Sequence, residues 1–371
     1  MKKALVLAMI LLLSLTFLMA CDTTDVDSST TESDQDTASP THKESSEDDH
    51  IEGLEFKSND DGTCKVIGIG SCTDTDLVIP PVSPNGDRVT SIGLSAFYNC
   101  SQLTSVTIPE GVTSIKKNAF QRCTNLTNVT IPNTVTWIGH TVFRECTSLE
   151  SIEIPDGVTS IGAGAFQGCT NLTNINLPNS ITTIRDKTFF GCTSLTEITI
   201  PYGVTEIGTH VFECCKKLEH CSIPDSVTTI GAQAFSFCTS LTSVTIPDSV
   251  TIIGNGAFAS SALNHMVIPD SITVIGHYVF SGCTSLTNIV IPDSVTTIGE
   301  QAFSGCWLLE SVVIPDSVTT IGSGAFGDTC DKLRNVYYTG TKNQWEAITI
   351  GEHNIRLTDA STKITFNYVE E

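Results

Sequence analysis

The sequence predicts a repeat solenoid, mainly β, closed by a cap at each end. Three observations predict it. A Phe recurs at 97, 120, 143, 166, 189, 212, 235, 258, 280, 303 and 326, every step being 23 residues except one of 22. A Pro recurs at 109, 132, 155, 178, 201, 224, 247, 269, 292 and 315 with the same single short step. Between these landmarks the apolar residues fall in short runs. One such unit cannot bury its apolar side alone, so successive units must stack and continue a shared core.

Each position in the unit has a physical reading. Leu241, Val244 and Ile246 follow an L-x-x-V-x-I pattern, whose alternation suits a strand with one buried face. Pro247 donates no ladder hydrogen bond and ends the strand. Pro-Asp-Ser then favours a turn, with Pro setting φ and Asp bonding back to the backbone. Val250-x-x-Ile253 is a second short apolar segment. Gly254 is expected at a bend that needs an unusual φ. Ala234 and Phe235 of the preceding unit close its coil with a buried aromatic. Eleven coils at about 4.8 Å each make a solenoid roughly 50 Å long.

The unit L-x-x-V-x-I-P…V-T-x-I-G-x-x-A-F-x-x-C resembles the BspA-like leucine-rich repeats of bacterial surface proteins. The resemblance covers residues 51–371 and implies a leucine-rich-repeat right-handed coil with short irregular or helical convex segments. Residues 51–90 resemble the N-terminal cap of such proteins, opening with a hairpin around Asn59-Asp60-Asp61-Gly62. Residues 91–332 are the solenoid. Residues 333–371 resemble the closing cap, with Tyr338, Trp345 and Tyr368 as packing residues. Caps are expected because bare solenoid ends aggregate.

The first 50 residues read differently. Lys2 and Lys3 precede an apolar stretch from Ala4 to Phe17, which marks residues 1–20 as a secretory signal peptide, short for a membrane span. Leu18-Met19-Ala20-Cys21 resembles the bacterial lipobox, in which cleavage falls just before the Cys and its thiol receives a diacylglyceryl group. Two or more acyl chains anchor stably where one is marginal. Residues 22–50 carry ten acidic residues against Lys43 and are otherwise mostly Ser and Thr. With Cys21 they are expected to form a lipidated, disordered, self-repelling tether.

The net charge of −22 divides as +2 for the signal and −9 for the tether, leaving −15 for residues 51–371. Such a surface repels phosphate backbones and argues against nucleic-acid binding. Membrane contact is expected only through the lipid on Cys21.

Fifteen cysteines is a high count, and ten share one column: Cys100, Cys123, Cys146, Cys169, Cys192, Cys215, Cys238, Cys283, Cys306 and Cys330. Metal ligands cluster around a point, whereas this column is a line of equivalent positions. It runs for seven, gaps at Ser260-Ser261, then runs for three, so it does not pair off as disulfides. A ladder of buried thiols acting as small hydrophobes is expected. Cys221, in a Val core column, fits that reading. Cys64 and Cys72, in the N-terminal cap, are the better disulfide candidates.

Other chemical motifs are weak. Gly322-Ser323-Gly324-Ala325-Phe326-Gly327 matches a dinucleotide-loop pattern, but Gly322 is the repeat glycine, like Gly299, Gly276 and Gly254. His220 and His265 share a column two coils apart and lack metal-spaced partners. No catalytic residue, metal site or cofactor is expected. Lys116 and Arg185 replace the repeat glycine and read as surface substitutions. Trp307 is either an exposed anchor or a filler of the altered last loop.

The informative column is the middle residue of V-x-I, which should face solvent on the concave sheet. It reads Thr107, Thr130, Glu153, Asn176, Thr199, Ser222 and Thr245, then changes to Val267, Val290, Val313 and Tyr337. Exposed contiguous apolar surface marks partner sites, although Val and Tyr also favour strands regardless. His265, Asn288, Ser311 and Asn335 flank this stripe and offer polar contacts.

The expected function is that of a cell-surface lipoprotein, lipid-anchored to the outer face of a bacterial membrane. It acts as a protein-binding or adhesion module through its concave face. The family resemblance implies adhesion, with extracellular proteins of a host matrix or of other cells as partners; glycans are a second ligand class. The alternative is a structural or envelope-scaffold protein with no external ligand.

Overall fold

Parallel pairing at the repeat period builds the molecule. The computed structural model describes residues 53–327, 329–358 and 360–369. The signal peptide, Cys21 and the tether lie outside the described residues. The solenoid has about 12 turns and little helix.

Each regular coil carries two short strands. The first holds the middle of L-x-x-V-x-I, as in Ser105–Thr107, which pairs in parallel with Asn128–Thr130 so that Val106 faces Val129. The alternation is as the sequence predicts, with Val106 and Ile108 buried and Thr107 exposed. The second apolar segment is also a strand, as in Ser114–Ile115 beside Trp137–Ile138. Two parallel ladders therefore flank the core, and Leu, Val and Ile from every coil fill it. In the second ladder Thr113 Oγ1 donates to Thr90 O at 3.3 Å and Thr136 Oγ1 to Thr113 O at 3.3 Å.

The Pro turn departs from expectation in one respect. Val250 N donates to Pro247 O at 3.0 Å, closing the turn. The side chain that ties it down is Ser rather than Asp: Ser249 Oγ donates to Val227 O of the preceding coil at 2.7 Å, and Ser294 and Ser317 do the same to Ile272 and Val295. The Asp248, Asp270 and Asp293 side chains are left to solvent, while Asp316 accepts from Gln344 Nε2 at 3.3 Å.

The convex side is neither helix nor strand. Residues two before and two after each Phe from Phe97 to Phe303 have φ near +60°, as at Asn118 (φ 59) and Arg122 (φ 64). Successive amides between these two left-handed residues point in opposite directions. Thus Asn118, Phe120 and Arg122 donate forward to His140, Val142 and Arg144, while Ala119, Gln121 and Cys123 donate backward to Lys116, Asn118 and Phe120. The backbone of this buried-sided turn is satisfied without a helix. Inside it the Phe rings stack from Phe97 to Phe326, with centroids 5.0 Å apart at Phe303–Phe326 and 6.0 Å at Phe258–Phe280. Each pair adds about 0.5–1.5 kcal/mol beyond its area burial.

The repeat glycine has a different cause from the one expected. Gly254 does not lie in the left-handed region. A Cβ there would sit 2.4 Å from Ala232 N, and one at Gly231 would sit 2.5 Å from Gly208 C. Gly is required because adjacent coils meet backbone to backbone. Arg185, which replaces it, is exposed and falls where the second ladder is interrupted between Ser160–Ile161 and Thr183–Ile184. Lys116 leaves that ladder paired, and its ammonium lies 4.8 Å over the Trp137 ring.

The cysteine column is buried throughout, and its thiols have a polar task as well. Cys123 Sγ lies 3.0 Å from Phe97 O, Cys146 3.1 Å from Phe120 O and Cys192 3.2 Å from Phe166 O. From Cys123 onward each column S–H donates to the carbonyl of the Phe one coil back, whereas Cys100 faces Tyr98 O at 3.9 Å. Ser261 takes the column's place in the short coil, where its hydroxyl donates to Phe258 O at 2.7 Å.

The N-terminal cap opens with the expected hairpin, Glu55–Ser58 against Thr63–Gly68. Cys64 and Cys72 are free, buried thiols and form no disulfide; both pack into the core instead. Strand Arg88–Ile92 pairs with both Thr63–Gly68 and Ser114–Ile115, so this cap continues into the solenoid as one sheet. At the other end Tyr338 is buried edge-on against Trp345 at 5.1 Å. Trp345 is held by the helix Lys342–Glu346, whose N-cap Thr341 and Gln344 form a reciprocal capping box. Strand Lys363–Thr365 pairs with Asn335–Tyr338 and covers the last edge.

Candidate functional site

The 22-residue coil breaks the regularity. One residue is missing between Ser261 and Leu263 relative to the other loops. The Phe258–Phe280 step is the widest in the ring stack. The second ladder is interrupted between Ile252–Ile253 and Val274–Ile275. On the concave side, residues 243–245 and 265–267 carry no strand, and regular pairing resumes only at Asn288–Val290. The concave ladder is interrupted also between Asn128–Thr130 and Ser151–Glu153 and between Asn174–Asn176 and Glu197–Thr199, but those coils keep their strands, whereas beside the short coil the strands themselves are missing.

An open depression of about 790 Å³ lies on the concave side from this coil to the closing cap. Its floor includes Val267, Val290 and Val313, with Val267 66% and Val290 40% exposed. His265 and Asn288 stand on one side. Asp270, Asp293 and Asp316 stand on the other, each three residues after a floor valine, where the strand runs into the Pro turn. Thr339, Tyr368 and Val369 close the C-terminal end.

Five of the residues singled out from the sequence thus share one depression: His265, Val267, Asn288, Val290 and Val313. Ser311 and Tyr337 do not line it. Ser311 is half-buried in strand Ser311–Ile314. Tyr337 was expected to extend the exposed stripe, but the ring of Tyr368 covers it at 4.6 Å. The closing cap folds back over the last coil and presents Tyr368 in its place.

Sequence reasoning missed the acidic side and the end of the groove. The three Asp residues were read as turn formers, yet Ser performs that task and leaves the Asp 270 and 293 carboxylates without a hydrogen-bond or ion-pair partner among the described residues. Their regular offset from the valine column was the available signal. Tyr368 was legible as a packing residue of the closing cap, but its place at the groove's end was not, because its approach to Tyr337 depends on how the cap folds back.

Among the described residues no group of three or more His, Cys, Asp or Glu is placed to hold a metal ion. Burial holds the column thiols in their neutral form, with Cys283 pushed up to about 11 and Cys123 and Cys330 to about 12. Gly322 packs against the Glu300 and Gly299 backbone, as the repeat glycine does elsewhere. Trp307 is 54% exposed, so it does not fill the last loop.

Solenoid, buried Phe and Cys columns and an open concave groove define a leucine-rich-repeat protein. The chain belongs to the BspA type leucine rich repeat family, which matches it over residues 90–219, 159–287, 205–334 and 251–366. It is similar to a leucine rich cell surface protein of Faecalibacterium prausnitzii, at 32% identity over 80% of this chain and 96% of that one, with a TM-score of 0.52. It is similar also to a leucine-rich repeat protein of Bacteroides ovatus, at 27% identity over 86% and 100%, with a TM-score of 0.52. The pneumococcal vaccine antigen PcpA shares the fold at 18% identity, over 86% and 98%, with a TM-score of 0.56. No curated protein matches the sequence.

Proposed function

We propose that this chain is a surface-displayed protein-binding module, anchored through a lipid on Cys21 and carried clear of the membrane by the acidic tether of residues 22–50. Its contact surface is the concave groove of the last coils. The observation that carries this reading is the exposed valine floor at Val267, where the concave side carries no strand, and at Val290 in the next coil. Apolar surface left exposed between polar walls is the usual form of a partner site. The surface location agrees with the description of the Faecalibacterium relative as a cell surface protein. Adhesion to host matrix proteins or to other cells is the role proposed for the groove, with glycans as the second ligand class.

The test is a binding screen of the full chain in detergent against matrix proteins, plasma proteins and glycans. A Val267→Glu, Val290→Glu double variant runs beside it, with its folding checked by circular dichroism. A ligand held by the parent and lost by the variant supports the groove as the site. Binding untouched by the variant moves the site elsewhere on the solenoid. Absence of any ligand above background favours the envelope-scaffold reading.

A further inference from the structure

The proposed groove has sides of unequal charge, and that asymmetry narrows its ligand. Asp270, Asp293 and Asp316 form a row with one carboxylate per coil along one side. Among the described residues no Lys or Arg lines the groove, and the facing side offers His265 and Asn288. In the turns of Asp270 and Asp293 the ordinary turn-forming duty has passed to Ser271 and Ser294, which bond the preceding coil. Three like charges about one strand spacing apart repel one another, and a cationic ligand relieves that repulsion. The floor between the two sides is aliphatic, with Tyr368 at its end.

We propose, resting on the groove reading above, that the occupant is a short extended polypeptide segment in which Lys or Arg alternates with aliphatic residues. In an extended chain alternate side chains point to opposite faces. The segment therefore sets its aliphatic face on Val267, Val290 and Val313 while its basic side chains reach over the rim to the three carboxylates. Long basic side chains bridge the mismatch between the residue spacing of the segment and the coil spacing of the solenoid, because their stems lie on apolar surface while their heads reach charge. The acidic tether of this same chain has the wrong sign for the groove.

The test uses the full chain and three labelled synthetic peptides of about eight residues: alternating Lys and Val, alternating Glu and Val, and alternating Lys and Ser. Fluorescence anisotropy is read at low and at physiological salt. The Lys-Val peptide is expected to bind best and to weaken as salt rises. An Asp270→Asn, Asp293→Asn double variant is expected to lose about fivefold to tenfold of that affinity. Its turns are held by Ser, so its folding is expected to match the parent by circular dichroism. Equal binding of the Glu-Val peptide, no binding of the Lys-Val peptide, or an unchanged affinity in the Asn variant overturns the proposal. None of these outcomes removes the groove itself, which stands or falls separately with Val267→Glu, Val290→Glu in the protein and glycan screen.

Discussion

Tyr368 lays its ring on Tyr337 at 4.6 Å, with the planes inclined by 35°. This contact ends the groove and hides the last residue of the concave column. It also ties strand Lys363–Thr365 to the coil it covers. Replacing Tyr368 with Ala is expected to cost about 0.5–1.5 kcal/mol. Hydrogen exchange would speed first at Lys363–Thr365, ahead of the middle coils. Unchanged protection there would show that the strand pairing alone holds the cap.

The thiol column makes stability depend on alkaline pH. Burial raises the folded-state values above the ordinary 9.0, to about 11 for Cys283 and about 12 for Cys123 and Cys330. A raised folded value means stability is complete below pH 9 and is lost as pH climbs toward the folded value, because the unfolded chain sheds its protons first. Each such thiol contributes a slope of about 1.4 kcal/mol per pH unit. Denaturant midpoints are expected to hold between pH 6 and 8 (roughly, below the thiol titration range) and to fall steeply above pH 9. A flat profile to pH 10.5, about midway through that window, would contradict the buried-thiol reading.

The S–H bonds in the column can be separated from its packing. Cys169 Sγ donates to Phe143 O at 3.1 Å in a fully buried site. Cys169→Ala removes both the donor and the volume and is expected to cost about 1–3 kcal/mol. Cys169→Ser restores a donor and is expected to recover part of that loss. Thermal unfolding of the pair decides it: a Ser variant no more stable than the Ala variant would mean that the hydrogen bond contributes nothing.

The repeat glycine should resist even one methyl group. Gly231→Ala places a Cβ 2.5 Å from Gly208 C, and only backbone movement relieves that contact. The expected cost is about 1–3 kcal/mol. Gly62 in the hairpin has no atom within 4 Å of its Cβ position, so its substitution is limited by its φ of +79 instead. Midpoint shifts of similar size for the two would argue against backbone contact as the cause at Gly231.

Lengthening the short coil tests how the groove arises. Inserting one Thr after Ser261 restores the common period. The expected result is a strand at residues 265–267 with slow amide exchange, a flatter concave face, and no loss of thermal stability. Persistent fast exchange at those residues would mean that local sequence, such as His265 and Met266, opens the groove, rather than coil length.

The sequence by itself determined the coil, its period and its inward faces. A side chain repeated every 23 residues must occupy equivalent places, and alternation within V-x-I sorts buried from exposed. The exposed run at Val267 and Val290 was legible for the same reason, and so were Tyr338 and Trp345 in the closing cap. Only the tertiary structure decided which groups of neighbouring coils meet. It assigned Gly254 to backbone contact rather than to an unusual φ, and gave the Cys column its carbonyl partners 26 residues back, as for Cys169 and Phe143. It handed the Pro turn to Ser249 across a coil boundary, which released the Asp row to the groove. It also folded Tyr368 over Tyr337. Each of these is a distance between segments one coil or more apart, and such distances follow from how the stacked backbones pack, which periodicity along the chain does not express.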